Sequence, residues 1–135
     1  MVKKENMDKE TIATNKAPAA VGPYSQAVRI GKLIFTAGQV ALVPGTGKLR
    51  TGGIIEQTQQ VMMNLEAVLK AAGSNLDQAI KSTVFLQDMA DFAAMNGEYA
   101  KAFSSDPPAR STVEVSKLPL GALVEIELVA HIPGD

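Results

Sequence analysis

The stretch IIEQTQQVMMNLEAVLKAAG, residues 54–73, decides the architecture. Ile54, Thr58, Val61, Leu65, Val68 and Ala72 step by 4, 3, 4, 3 and 4, the spacing of one face of an α-helix. Gln57, Gln60, Asn64 and Glu66 populate the other side, and Glu66 stands four residues before Lys70, a favourable helical pair. Gly73 follows the last apolar position and is the expected stop. The spacing predicts an amphipathic helix of about five turns. A helix with one apolar stripe must bury it against a second layer, and the flanking sequence supplies strands for that layer.

Upstream, Ala27–Ile30 and Leu33–Ala37 are β-prone runs around Gly31-Lys32, which predicts a hairpin, and Ile12–Thr14 can open a short strand before it. Ala17–Gly22 with Pro23 reads as a loop, and Gly38–Gly53, with Pro44-Gly45-Thr46-Gly47 and Gly52-Gly53, as an extended one. Downstream, Ala79–Gln87 reads as a strand. Asp88 or Asp91 can cap a second helix bearing Phe92, Met95, Tyr99 and Phe103, although Asn96-Gly97 favours a turn; Pro107-Pro108 is its expected end. Ala109–Ser116 alternates, with Arg110, Thr112, Glu114 and Ser116 on one side. After a turn at Lys117–Gly121, Leu123–Ile132 alternates again, with Val124, Ile126, Leu128, Ala130 and Ile132 against Leu123, Glu125, Glu127, Val129 and His131. The order β-β-β-α-β-α-β-β predicts an α+β domain with two helices on one face of a sheet. The other face is expected to carry Arg110, Thr112, Glu125 and Glu127 beside Leu123 and Val129. Such a face is too charged for a sealed core and too apolar to stay bare, so it is expected to pack against sister subunits.

The chain has 135 residues, enough for one domain with a core of its own. Residues 1–10, whose six charges cancel, read as a flexible tail, and 11–135 as the domain. No apolar stretch is long enough to span a membrane, and no apolar segment follows the early lysines as a secretory signal requires, so a cytoplasmic protein is expected. The net charge of -1 argues against nucleic acid as a partner. With no Cys and a single His, His131, the chain lacks a thiolate nucleophile, a Cys-ligated metal and the makings of an internal Ser-His-Asp triad.

Arg110, approached through Pro107-Pro108-Ala109, can grip a small carboxylate with two N–H donors. By residue type alone, an exposed or structurally paired arginine fits it first. Glu125 and Glu127 at i, i+2 can do acid–base work or hold a cation, or simply form a polar strand face paired with Arg110 or Lys117. Tyr24, on the loop after Gly22-Pro23, can lid a pocket or anchor packing. Gly45-Thr46-Gly47-Lys48 lacks the first Gly and the Ser or Thr of a phosphate loop and is set aside.

Taken together, Ala17-Pro18-Ala19-Ala20-Val21-Gly22-Pro23-Tyr24-Ser25-Gln26, Thr36-Ala37-Gly38-Gln39, Gln57-Thr58 with Asn64, Thr83-Val84-Phe85-Leu86, Asp91-Phe92 with Asn96 and Tyr99, Pro108-Ala109-Arg110-Ser111 and Val124-Glu125-Ile126-Glu127 resemble the RidA (YjgF; reactive intermediate/imine deaminase A) family over about residues 11 to 132. The resemblance implies a chorismate-mutase-like α+β fold with a mixed sheet of about six strands, a homotrimer with sites between subunits, and no cofactor or metal. It implies hydrolysis of reactive 2-enamine/2-imine acids, such as 2-aminoacrylate and its imine tautomer, to 2-keto acids and ammonia. By match, Arg110 is the carboxylate clamp, Glu125 orients or activates water, and Tyr24, Gly38 and Asn96 line the pocket. Ala37 stands where family members often have Ser, and Thr112 where many have Cys. Both positions face the pocket by the same match, so they bear on substrate preference and rate. Two other functions stay open: a non-catalytic module that binds a 2-keto acid or amino acid, and an RNA-cleaving translation inhibitor, which the charge balance and the lone His oppose.

Overall fold

The stripe of residues 54–72 does form a helix. In a computed structural model that describes residues 8–134, α1 runs from Ile54 to Ala71. Thr58, Val61, Leu65 and Val68 are fully buried on it, and Leu65 and Leu69 are among the largest core side chains. Burying one such leucine contributes about 1.5–3 kcal/mol. Glu56 Oε1 accepts from the Gly53 N–H (2.8 Å) at the start. At the end Gly73 takes φ 91°, while Gly73 and Ser74 donate their N–H groups to Lys70 O and Leu69 O, satisfying carbonyls that would otherwise lack partners.

The helix lies on a six-stranded sheet in the order β1-β2-β3-β8-β6-β7. Its strands are β1 (Glu10–Ile12), β2 (Ala27–Ile30), β3 (Leu33–Thr36), β6 (Ala79–Leu86), β7 (Ala109–Glu114) and β8 (Val124–His131). All neighbours pair antiparallel except β6 and β7, which are parallel. A second helix, α2 (Phe92–Ala100), makes the crossover between those two and packs beside α1. The expected α+β domain, two helices on a mixed sheet, is thus the observed one. Val124, Ile126, Leu128 and Ala130 of β8 face the helices and are buried, as the alternation predicts.

Several expectations are corrected. β1 starts at Glu10, two residues before the expected strand and inside the expected tail; residues 1–7 of that tail lie outside the described residues. The loop 38–53 contains a small ribbon, β4 (Leu42–Val43) with β5 (Lys48–Leu49). α2 ends at Ala100, well before Pro107-Pro108, so Phe103 lies beyond it; Asn96-Gly97 continues the helix instead of turning it. Gln57, Gln60 and Asn64 are buried, not on a solvated face. Asn64 Nδ2 donates to Val40 O (3.3 Å) and Leu42 O (2.9 Å), Gln60 donates to Asn64, and Gln57 Oε1 accepts from the Leu123 N–H (2.9 Å). These polar side chains satisfy loop backbone that packs against the helix, which is why burial does not penalise them.

The largest correction concerns faces. Alternation puts Arg110 and Thr112 together, but the register decides on which side. Arg110 pairs with Ser82 and Thr112 with Val84, both fully buried beneath the helices. Arg110 and Thr112 therefore point to the helix side. Glu125 pairs with Phe85, and Glu127 with Thr83, on the opposite side. That open side also carries Phe35 (43% exposed) and Val113 (44%), so an apolar and acidic sheet face stands uncovered in the single chain.

Candidate active site

The guanidinium of Arg110 sits at the edge strand under α2. Its Nη1 donates to Asn96 Oδ1 at 2.6 Å. Its Cζ lies 4.8 Å from the Tyr99 ring centroid and 5.5 Å from that of Phe92, within cation–π range. No carboxylate of the described residues lies within ion-pair distance of it. Arg110 and Asn96 line a cavity of about 570 Å³ with Tyr99, Phe103, Pro107 and Pro108. Two residues along the strand, Thr112 Oγ1 is buried without a hydrogen-bond partner among the described residues, as are Ser82 Oγ, across from Arg110, and the Tyr99 hydroxyl. A half-buried cation held by an amide and two rings, with no anion beside it and donors to spare, suits a ligand carboxylate.

On the other side of the sheet, Glu125 is built into a gap. β3 parts from β8 after Phe35, and the ladder resumes as a bridge between Gln39 and Ile126. Within the gap the Leu128 N–H donates to Thr36 Oγ1 (2.9 Å), and Ala37 donates its N–H to Gln26 O (2.9 Å). The Glu125 carboxyl lies directly against Gly38. A Cβ built there would fall on Oε2 and come 2.9 Å from Cδ. Gly38 is required for this close approach and not for its dihedral angles, which other residues can adopt. Burial raises the Glu125 carboxyl's pKa from its ordinary value, and the like charge of Glu127 adds to the rise. Gly38→Ala is expected to push the carboxyl aside. Because a flexible side-chain end gives way, melting temperature should change little, whereas turnover should fall about 100-fold; steady-state kinetics beside thermal melts check both.

Tyr24 stands apart from both groups. It is 52% exposed, its ring packs on Gly22, its hydroxyl accepts from the Val21 N–H at 3.4 Å, and it borders a separate cavity. Buried Gln26 anchors the loop before it. Gln26 donates to Thr14 O and Pro18 O and accepts from the Thr14 N–H. The structure therefore brings Arg110 together with Asn96, and Gly38 with Glu125. Ala37 is next to that second pair and Thr112 next to Arg110, while Tyr24 joins neither. The contact of Phe92 and Tyr99 with Arg110 was missed in the sequence; its signal is the i, i+4, i+7 spacing of Phe92, Asn96 and Tyr99. Among the described residues there is no cluster of three metal-ligating side chains, and no helix long and apolar enough to cross a membrane.

The single α+β domain thus carries an arginine with no carboxylate of the described residues beside it on one side of its sheet and a partly desolvated carboxyl on the other. Residues 14–132 match the family model described as Endoribonuclease L-PSP, and the chain belongs to that family, which includes the RidA proteins. A mouse 2-iminobutanoate/2-iminopropanoate deaminase is 46% identical over 122 residues, 90% of this chain and 90% of its own length. The solved structure of RidA from an Antarctic Psychrobacter is 44% identical with a TM-score of 0.88, over 91% of this chain and 99% of that one. E. coli TdcF with bound serine is 36% identical with a TM-score of 0.85, over 90% and 98%.

Proposed function

We propose that this protein hydrolyses 2-enamine/2-imine acids to 2-keto acids and ammonia. The observation that carries the reading is Arg110, a half-buried cation on the wall of a cavity with no ion-pair partner among the described residues. The mouse deaminase supports the reaction, and the serine-bound relative supports a small 2-amino-acid-like ligand. The imine carbon is already electrophilic. Arg110 holds the carboxylate. Glu125 takes a proton from water as the oxygen bonds to that carbon and passes it to nitrogen, giving the carbinolamine; it then takes the hydroxyl proton and passes it to the same nitrogen as the C=O bond forms and the C–N bond breaks, releasing ammonia. Neither a thiol nor a histidine pair is needed.

Arg110 and Glu125 point to opposite faces of one sheet, so one copy does not bring them together. We place the site between copies of a homotrimer, the Arg110 seat of one facing the Gly38–Glu125 pair of the next. The uncovered sheet face, with Phe35 and Val113 beside Glu125 and Glu127, supplies surface for that contact. A dehydratase that generates the imine in situ, with imine decay followed as this protein is added, tests the activity. Faster decay is the expected result. Unchanged decay over several imine side chains, by a folded oligomer, leaves the ligand-binding reading in its place, and a monomer at micromolar concentration by light scattering removes the shared site.

A further inference from the structure

Arginine is a long, flexible side chain, and a ligand that must first order it binds more weakly than one that meets it already ordered. Arg110 is ordered by α2. Phe92, Asn96 and Tyr99, at i, i+4 and i+7, form one stripe of that helix, and all three touch the guanidinium. Tyr99 is only 5% exposed, and its hydroxyl makes no hydrogen bond to the described residues, so what it offers Arg110 is the ring face. Phe103 packs on that ring from beyond the helix, at 4.9 Å between centroids and 54° between planes. The cation therefore rests on one ring that is itself backed by another.

We propose that Phe92 and Tyr99 are positioning residues for the carboxylate clamp: their rings hold the Arg110 guanidinium at the cavity wall, with Asn96 fixing one edge. This rests on the reading of Arg110 as the clamp. Two consequences separate it from ordinary packing. A ring that only presets Arg110 stabilises ground state and transition state alike, so its loss raises KM and leaves kcat near its original value. Its effect also exists only while Arg110 is there to be held.

The experiment measures calorimetric affinity for 2-oxobutanoate, and KM and kcat on imine generated in situ, for Tyr99→Leu, Phe92→Leu and Tyr99→Phe. Each is made alone and with Arg110→Ala, with thermal melts alongside. Tyr99→Leu and Phe92→Leu are expected to weaken 2-oxobutanoate binding and raise KM by roughly three- to thirty-fold. Tyr99→Phe, which keeps the ring, is expected to restore most of that loss. Both leucine effects on kcat/KM should vanish when Arg110 is already alanine. Equal losses with and without Arg110, or a fall in kcat at unchanged KM, overturn the proposal. Phe92 is half-buried, so Phe92→Leu carries the test should Tyr99→Leu fail to fold. If Arg110→Ala itself binds and turns over like the parent, the clamp reading is what fails. If Arg110→Ala loses both while the leucine variants lose neither, the positioning role alone falls.

Discussion

Arg110→Ala is expected to lower kcat/KM for 2-imino acids by about thirty- to a thousand-fold, the equivalent of about 2–4 kcal/mol for removing one partner of a desolvated charge pair. The loss should not be recovered by lysine. A lysine ammonium offers neither the two-pronged contact nor the same planar stacking on Tyr99 and Phe92. The same variant tests the shared site. Mixed with Glu125→Gln after subunit exchange, it should regain activity that neither preparation has alone. In a randomly mixed trimer, about a quarter of the interfaces pair an intact arginine from one copy with an intact glutamate from the next. Recovery to roughly that fraction is expected in the coupled imine assay. A mixture as inactive as its components would remove the site shared between copies.

Glu125→Gln is expected to cost about 100-fold or more in kcat, the scale of a lost general base. The pH profile gives the finer test. Burial and Glu127 raise the Glu125 pKa, and the proposed base acts ionised, so turnover should fall as pH drops through a pKa higher than an ordinary glutamate's. That limb should be absent from the residual rate of Glu125→Gln. Stability carries the opposite sign. A carboxyl with a raised folded-state pKa binds more protons folded than unfolded. Its contribution is therefore fully present below the unfolded value and is lost as pH rises through the folded one. At neutral pH, Glu125 is a cost to the fold, and Glu125→Gln should melt slightly higher than the parent while turning over far less. Thermal melts across pH check the slope, which the glutamine removes.

The two charged residues also mark how far the sequence could be read. The stripe of α1 was legible because a spacing of 4 and 3 has one structural meaning. The alternation of β7 and β8 was legible too, but it gives parity only. Which side of β7 looks toward the helices depends on Arg110 lying beside Ser82 in a parallel ladder, a partner 28 positions away that spacing does not reveal. Gln57 and Asn64 misled for a similar reason, since their partners are an amide and carbonyls from distant loops, while Gln60 is buried beside Asn64, to which it donates. Gly38 carries no local signal at all; its need for glycine comes from a carboxyl that arrives from the far end of the chain. Residue type could propose Arg110 and Glu125 as candidates. Only the fold sets them on opposite sides of a sheet.

The polar contacts of α1 also bear on how the molecule breathes. Asn64 grips Val40 and Leu42, just past Gly38, and Gln57 grips Leu123, just before Glu125. The helix thus fastens both flanks of the Gly38–Glu125 contact to its own buried side. The loop cannot swing away without stripping a buried asparagine of its acceptors, nor can β8 fray at that end without orphaning Gln57. These segments are therefore expected to open together with α1, with similar amide-exchange protection across the three, so that the carboxyl keeps its place for as long as the helix stays docked.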